Sequence, residues 1–178
     1  MYKPNQKARC AMADPHISLG RREHRLSDVA AEYLVLAQED EQVGLLLIRQ
    51  GQYRHGISFL VQAMEKYVRS TIFGLVNPNT EYFRQRTLTH NLDDLLAFLR
   101  EIVCSNTELR EQVRLQMQDH VLGGIKFGAL HNNLRYPHFD ERRGSYFVLQ
   151  VERNDADTVY ARLQTLKQFL KDMHQLGH

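Results

Sequence analysis

Tyr53-Arg54-His55-Gly56-Ile57-Ser58-Phe59-Leu60-Val61-Gln62-Ala63-Met64-Glu65-Lys66-Tyr67-Val68-Arg69-Ser70-Thr71-Ile72-Phe73 is the stretch that decides the fold. Ile57, Leu60, Val61, Met64, Val68, Ile72 and Phe73 recur at intervals of three and four, the period of an amphipathic helix. Gln62, Glu65, Lys66 and Arg69 lie on the other side. Just upstream, Gly51 and a short Gln52-Tyr53 turn close an earlier helix, which the N-cap candidates Ser27 and Asp28 open. That helix carries Tyr33, Leu34, Ala37, Val43, Leu46 and Leu47 as its apolar stripe, broken by the acidic patch Gln38-Glu39-Asp40-Glu41, read as a solvated face. Two long helices joined by so short a turn must lie antiparallel.

Downstream, Gly74 and Asn77-Pro78-Asn79 break the helix. Thr89 or Asn91 caps a third helix through Leu92, Leu95, Leu96 and Leu99 to about Val103. Ser105-Asn106-Thr107-Glu108 has the pattern of a capping box, opening a fourth helix to about Leu122. Gly123 and Gly124 allow a kink before a further helical turn, which must stop near Arg135 because Pro137 pushes Tyr136 into extended conformation. Ser145 to Glu152, rich in Tyr, Phe and Val, reads as a short strand or an extended cover. Asn154 or Asp155 caps a last helix with Val159, Leu163, Leu166, Phe169, Leu170 and Met173 on its apolar face. The expectation is an all-α antiparallel bundle of about five helices, with one short extended segment near 145–152. It forms one domain over 26–178, behind a flexible basic tail, 1–25, that carries Lys3, Lys7, Arg9, Arg21, Arg22 and Arg25.

Net charge is only +2, yet the basic side chains are seventeen Arg against six Lys, a bias toward forked contacts with anions. Cys10 and Cys104 form neither a disulfide framework nor a zinc pattern, so a reducing cytoplasm is the expected location. The longest apolar run, Val43 to Ile48, is too short to span a bilayer, and no apolar segment follows the first basic residues as in a signal peptide.

Polar, reactive side chains are densest in Leu130-His131-Asn132-Asn133-Leu134-Arg135-Tyr136-Pro137-His138-Phe139. Arg135 offers a planar fork for a phosphate, and His131 or His138 could move protons near neutrality. Asn132, Asn133, Tyr136 and Lys126 are further candidate contacts for RNA or a nucleotide. The competing reading is a solvated helix-to-loop junction. Metal binding has little support, since Asp140 is the only acid near His131 and His138, and no cofactor is expected.

The order of motifs resembles the HEPN (higher eukaryotes and prokaryotes nucleotide-binding) domains over roughly residues 28–175. It runs Ala37-Gln38-Glu39-Asp40, Leu45-Leu46-Leu47, Gly51-Gln52-Tyr53, Phe59 to Lys66, Thr89-His90-Asn91-Leu92 with Leu95-Leu96, then Arg135-Tyr136-Pro137. The resemblance implies an antiparallel helical bundle, a homodimer, and RNA or nucleotide binding. Many relatives work in toxin–antitoxin or antiviral systems beside a minimal nucleotidyltransferase. Catalytic members are metal-independent ribonucleases with Arg, four to six residues, then His; here Arg135 and His138 have only two residues between them. The longer spacing does occur at Arg9/His16, Arg49/His55, Arg84/His90 and Arg114/His120, where chance alone gives about two or three. Three functions follow: an RNA- or nucleotide-binding homodimer, an endoribonuclease toxin or effector using Arg135 with His131 or His138, and a non-catalytic interaction domain.

Overall fold

The computed structural model describes residues 28–176. The expected basic tail therefore lies outside the described residues.

Helix α1, Val29–Arg49, begins at Asp28, whose Oδ1 accepts from the amides of Ala30 at 3.0 Å and Ala31 at 3.3 Å. It ends where Gly51 takes φ +77°, a left-handed value that a residue with a Cβ rarely adopts. Helix α2, Tyr53–Leu75, then returns antiparallel: Asp40 pairs with Lys66, and the Ser70 hydroxyl donates to the Ala30 carbonyl. The two backbones come closest at Gly44 and Gly56. A Cβ built on Gly56 would stand 2.5 Å from Ile48 Cγ1 and 2.9 Å from the Gly44 carbonyl oxygen.

Helix α2 is the axis of the molecule. Helices α1, α4, α6 and α7 all pack on it, so it buries residues on nearly every side, including the polar Glu65 and Arg69. Around it come α3 (Glu81–Arg86), α4 (Leu92–Val103), α5 (Thr107–Gln116), α6 (Phe127–Arg135) and α7 (Arg153–Leu176). A π-helical turn, Met117–Val121, continues α5, and Gly123 and Gly124, both at positive φ, bend the chain into α6. Leu95, Leu96 and Leu99 of α4, Phe127 of α6 and Leu163 and Leu166 of α7 close the core.

Several expectations need correction. Among the described residues there are seven α-helices rather than about five: α3 is additional, and α6 is a helix of its own after the glycine bend. The cap of α5 is Asn106, not Ser105; its Oδ1 accepts from Glu108 and Leu109. Helix α7 starts at Arg153, before the expected caps, and Asp155 instead reaches back to accept from the Glu152 amide at 2.8 Å. Of the extended segment 145–152 only β2, Ser145–Phe147, is strand. It pairs antiparallel with β1, His138–Asp140, bringing His138 opposite Phe147 and Phe139 opposite Tyr146. The ribbon itself covers nothing, since none of its residues is buried, but Leu149 and Val151 farther along the segment pack against the core.

The acidic patch divides. Glu39 is exposed, but Asp40 pairs with Lys66 and Glu41 is buried. Glu41 accepts from the Tyr67 hydroxyl at 2.6 Å, Gln164 at 2.9 Å and Lys167 at 2.8 Å, which ties α1 to α2 and α7. The side of α1 turned inward is Ala37, Glu41 and Gly44; Leu34, Val43 and Leu46 of the expected stripe are exposed. Among the described residues no helix is long and apolar enough to cross a membrane.

Candidate functional site

Lys66, Arg69, Gln62, Glu65 and Phe73 sit at helical intervals on one side of α2, covering about 16 Å of its length at 1.5 Å per residue. Together with Tyr33, Arg84, Thr87, Leu88, His90, His131 and Arg135 they line a groove of about 450 Å³. A second depression, of about 400 Å³, continues past His90, His131 and Arg135 toward Asn91, Gly128 and Asn132.

The buried ion pair of α2 organises this wall. Arg69 Nε and Nη2 donate to Glu65 Oε1 at 3.1 and 2.8 Å, and the same guanidinium donates to the carbonyls of Thr87 and Thr89. Those bonds satisfy a loop that has no helical partners, and they hold the segment from Arg84 to His90 over α2. His90 Nδ1 then lies 3.2 Å from Glu65 Oε1 while its side chain stays 83% exposed.

The opposite wall is α6. Phe127, Gly128, His131 and Leu134 are its buried side, so His131 enters the groove from the core. Gly128 lets α6 approach α4: a Cβ there would stand 2.2 Å from Asn91 Oδ1, the group that caps α4. The Gly128 amide donates to Asp93 at 3.2 Å. At the other end Tyr136 is extended, with φ −126° and ψ 147°, as Pro137 demands, and Arg54 donates to the Leu134 carbonyl at 2.5 Å. Arg135 therefore sits on the last turn of α6, with its guanidinium over the groove.

His131 Nε2 accepts from Arg135 Nη1 at 3.1 Å, so the proton of the neutral ring is on Nδ1. Burial first, and then the Arg135 charge, hold the His131 pKa below the ordinary histidine value, with Glu65 opposing and His90 adding to the fall. Nδ1 is buried and has no hydrogen-bond partner among the described residues, a feature that costs stability and that it shares with the Nε of Arg100 and of Arg162. Arg84 and Arg135 have no carboxylate partner among the described residues, whereas Lys66 and Arg69 do. Two guanidiniums without a carboxylate partner, beside a buried neutral histidine, have the chemistry to hold an anion.

No family model matches this chain, and neither a curated protein nor a solved structure matches it.

The site residues expected from the sequence separate. Arg135, His131 and Asn132 line the two connected depressions. His138 does not join them: it lies in β1, edge-on to Phe147 at 5.5 Å, beside a different depression. Lys126 stands at the opposite end of α6 from Arg135, and Asn133 and Tyr136 do not line the groove. Arg84, His90, Lys66, Arg69 and Glu65 are the charged and imidazole groups of the lining that the sequence did not single out as site residues. Of these only Arg84 and His90 stood out in the sequence, by an Arg/His spacing that chance explains equally well. Among the described residues no group of three or more His, Cys, Asp or Glu could hold a metal ion.

Proposed function

We propose that this chain is a HEPN-like homodimer that binds RNA or a nucleotide by its phosphate, gripped between Arg84 and Arg135. The observation carrying this reading is that these two guanidiniums, without a carboxylate partner among the described residues, line one groove with the buried His131. The antiparallel α1–α2 hairpin, the helix opening at Asn91-Leu92 and the helix ending at Arg135 are compatible with the helical bundle that the resemblance implies.

Arg135→Ala is expected to weaken nucleotide or RNA binding by about 1.5–3 kcal/mol, the range of a charge-assisted hydrogen bond. Its melting temperature should stay within about 2 °C of wild type, because Arg135 is exposed at a helix end. Arg135→Lys should recover part of the binding, since Lys keeps the charge and loses the fork. A large fall in stability with binding intact would make the arginine structural and remove the site.

Dimerisation is read from α1, whose outer side exposes Val35, Leu36, Val43 and Leu46 at 39–52%. Light scattering at tens of micromolar should give twice the 20.9 kDa chain mass, and Val35→Glu with Leu46→Glu should give a monomer. A monomeric wild type would count against the dimer.

One observation favours cleavage as a second reading: Arg84 and His90 both line the groove, with five residues between them, though at a helix-entry position where the HEPN family does not place its catalytic pair. Cutting RNA needs a base for the 2′-hydroxyl, a cation for the phosphorane-like charge and an acid for the leaving oxygen. His131 is poorly placed for proton transfer, with Nε2 accepting from Arg135 and Nδ1 buried. His90 is better placed, oriented by Glu65 through Nδ1 and exposed elsewhere. Mixed RNA incubated with wild type in EDTA separates the readings: cutting that His90→Ala abolishes supports the nuclease, and intact RNA supports binding alone.

A further inference from the structure

We propose that the β1–β2 ribbon is a base-stacking arm, so that the ligand of the groove is single-stranded RNA; this rests on the phosphate-binding reading above. A ribbon of two three-residue strands has little stability of its own, and this one buries nothing in the core. Yet Tyr136, Phe139, Tyr146 and Phe147 put four aromatic rings on and beside it, Tyr146 being 73% exposed. Strand alternation sends Phe139 and Tyr146 to one face, edge to face at 5.1 Å, and Phe147 with His138 to the other. Exposed rings on both faces are contact surface for a partner with flat, apolar faces of its own.

Nucleobases fit this description, and the placement of charge favours them over a protein surface. Arg135 lines the groove and also lies 5.6 Å over the Tyr136 ring, and the chain runs from there through Pro137 directly into β1. The aromatic surface thus continues the cationic groove. At the far end Arg142 and Arg143 lie in the turn that joins the strands. Asp140 is engaged there, accepting from the Arg142 amide at 2.9 Å and lying 3.7 Å from Arg143, while the Arg142 side chain has no acidic partner among the described residues. Guanidiniums at both ends of a run of rings match the alternation of phosphate and base along a single strand. A duplex hides its base faces in the stack and offers the rings nothing but backbone.

The test is fluorescence anisotropy with a mixed-sequence 12-nucleotide RNA, the same length made abasic, the matching duplex, and AMP as a mononucleotide probe. Wild type should bind the intact single strand at least about tenfold more tightly than the abasic strand or the duplex, within the range that loss of a base–aromatic stack produces. Phe139→Ser with Tyr146→Ser, and Tyr146→Ser alone, should lose that preference while binding AMP as wild type does. Their melting temperatures should be unchanged, because both rings lie outside the core. The arm is excluded if wild type ignores the intact strand or prefers the duplex. It is also excluded if the serine variants bind the strand as wild type does, the rings then serving a protein. Failure of the groove reading is separate: it shows as AMP binding that Arg84→Ala with Arg135→Ala leaves unchanged.

Discussion

Glu41→Ala should lower the unfolding free energy by about 2–3 kcal/mol, because Glu41 is a buried carboxylate holding three donors from two other helices. Removing one partner of a buried ion pair costs about 3–5 kcal/mol because the other charge is left without compensation. Lys167 keeps 35% of its side chain exposed and can turn toward water, so the lower figure applies. Tyr67 has no such escape. Its hydroxyl is buried against Glu41, and burial together with that carboxylate raises its pKa well above the ordinary tyrosine value, so it remains a donor left without an acceptor. For Glu41 burial works to raise the pKa, but the bonds from Lys167, Tyr67 and Gln164 outweigh it and the net direction is down. A carboxyl whose folded pKa lies below its unfolded value stabilises fully above the unfolded value, about 4.3, and loses that contribution as pH falls through the folded one. Urea denaturation of wild type and Glu41→Gln should therefore differ most near neutrality and converge as pH falls below the unfolded value and through the folded one. Equal stabilities at pH 7 would show that the three-helix tie contributes nothing.

Removing both groove arginines, Arg84→Ala with Arg135→Ala, should weaken binding of a short RNA at least a hundredfold at moderate salt. Each charge-assisted contact contributes about 1.5–3 kcal/mol, which is roughly 10- to 150-fold. Both are read as holding one phosphate, so the double loss should fall short of the sum of the single losses. The salt dependence should flatten too, since fewer counterions are released when two phosphate contacts are gone. Neither side chain is buried, so the double variant should melt close to wild type. Isothermal titration across a salt series reads all three quantities. Binding within threefold of wild type, with the salt slope unchanged, would remove both arginines from the site.

What the sequence determined by itself was whatever local chemistry controls. The three–four spacing from Ile57 to Phe73 gave α2, Asp28 and Gly51 bounded α1, and Pro137 ended α6 at Arg135, because caps, periodicity and proline sterics act within a few residues. It also singled out Arg135 and His131, which one turn of α6 brings together without any tertiary contact. Where several faces of one helix are apolar, periodicity cannot say which side turns inward. Leu34, Val43 and Leu46 formed the more hydrophobic stripe of α1, yet the inner side is Ala37, Glu41 and Gly44, because small residues let α1 and α2 approach and Glu41 finds three donors across the interface. The other wall of the groove was hidden for the same reason. Arg84 and His90 line the same groove as Arg135 and His131 because Arg69, buried on α2 and bonded to Glu65, holds the carbonyls of Thr87 and Thr89. That contact spans some twenty residues of chain and depends on the desolvated environment of a packed core, so only the tertiary structure decided it.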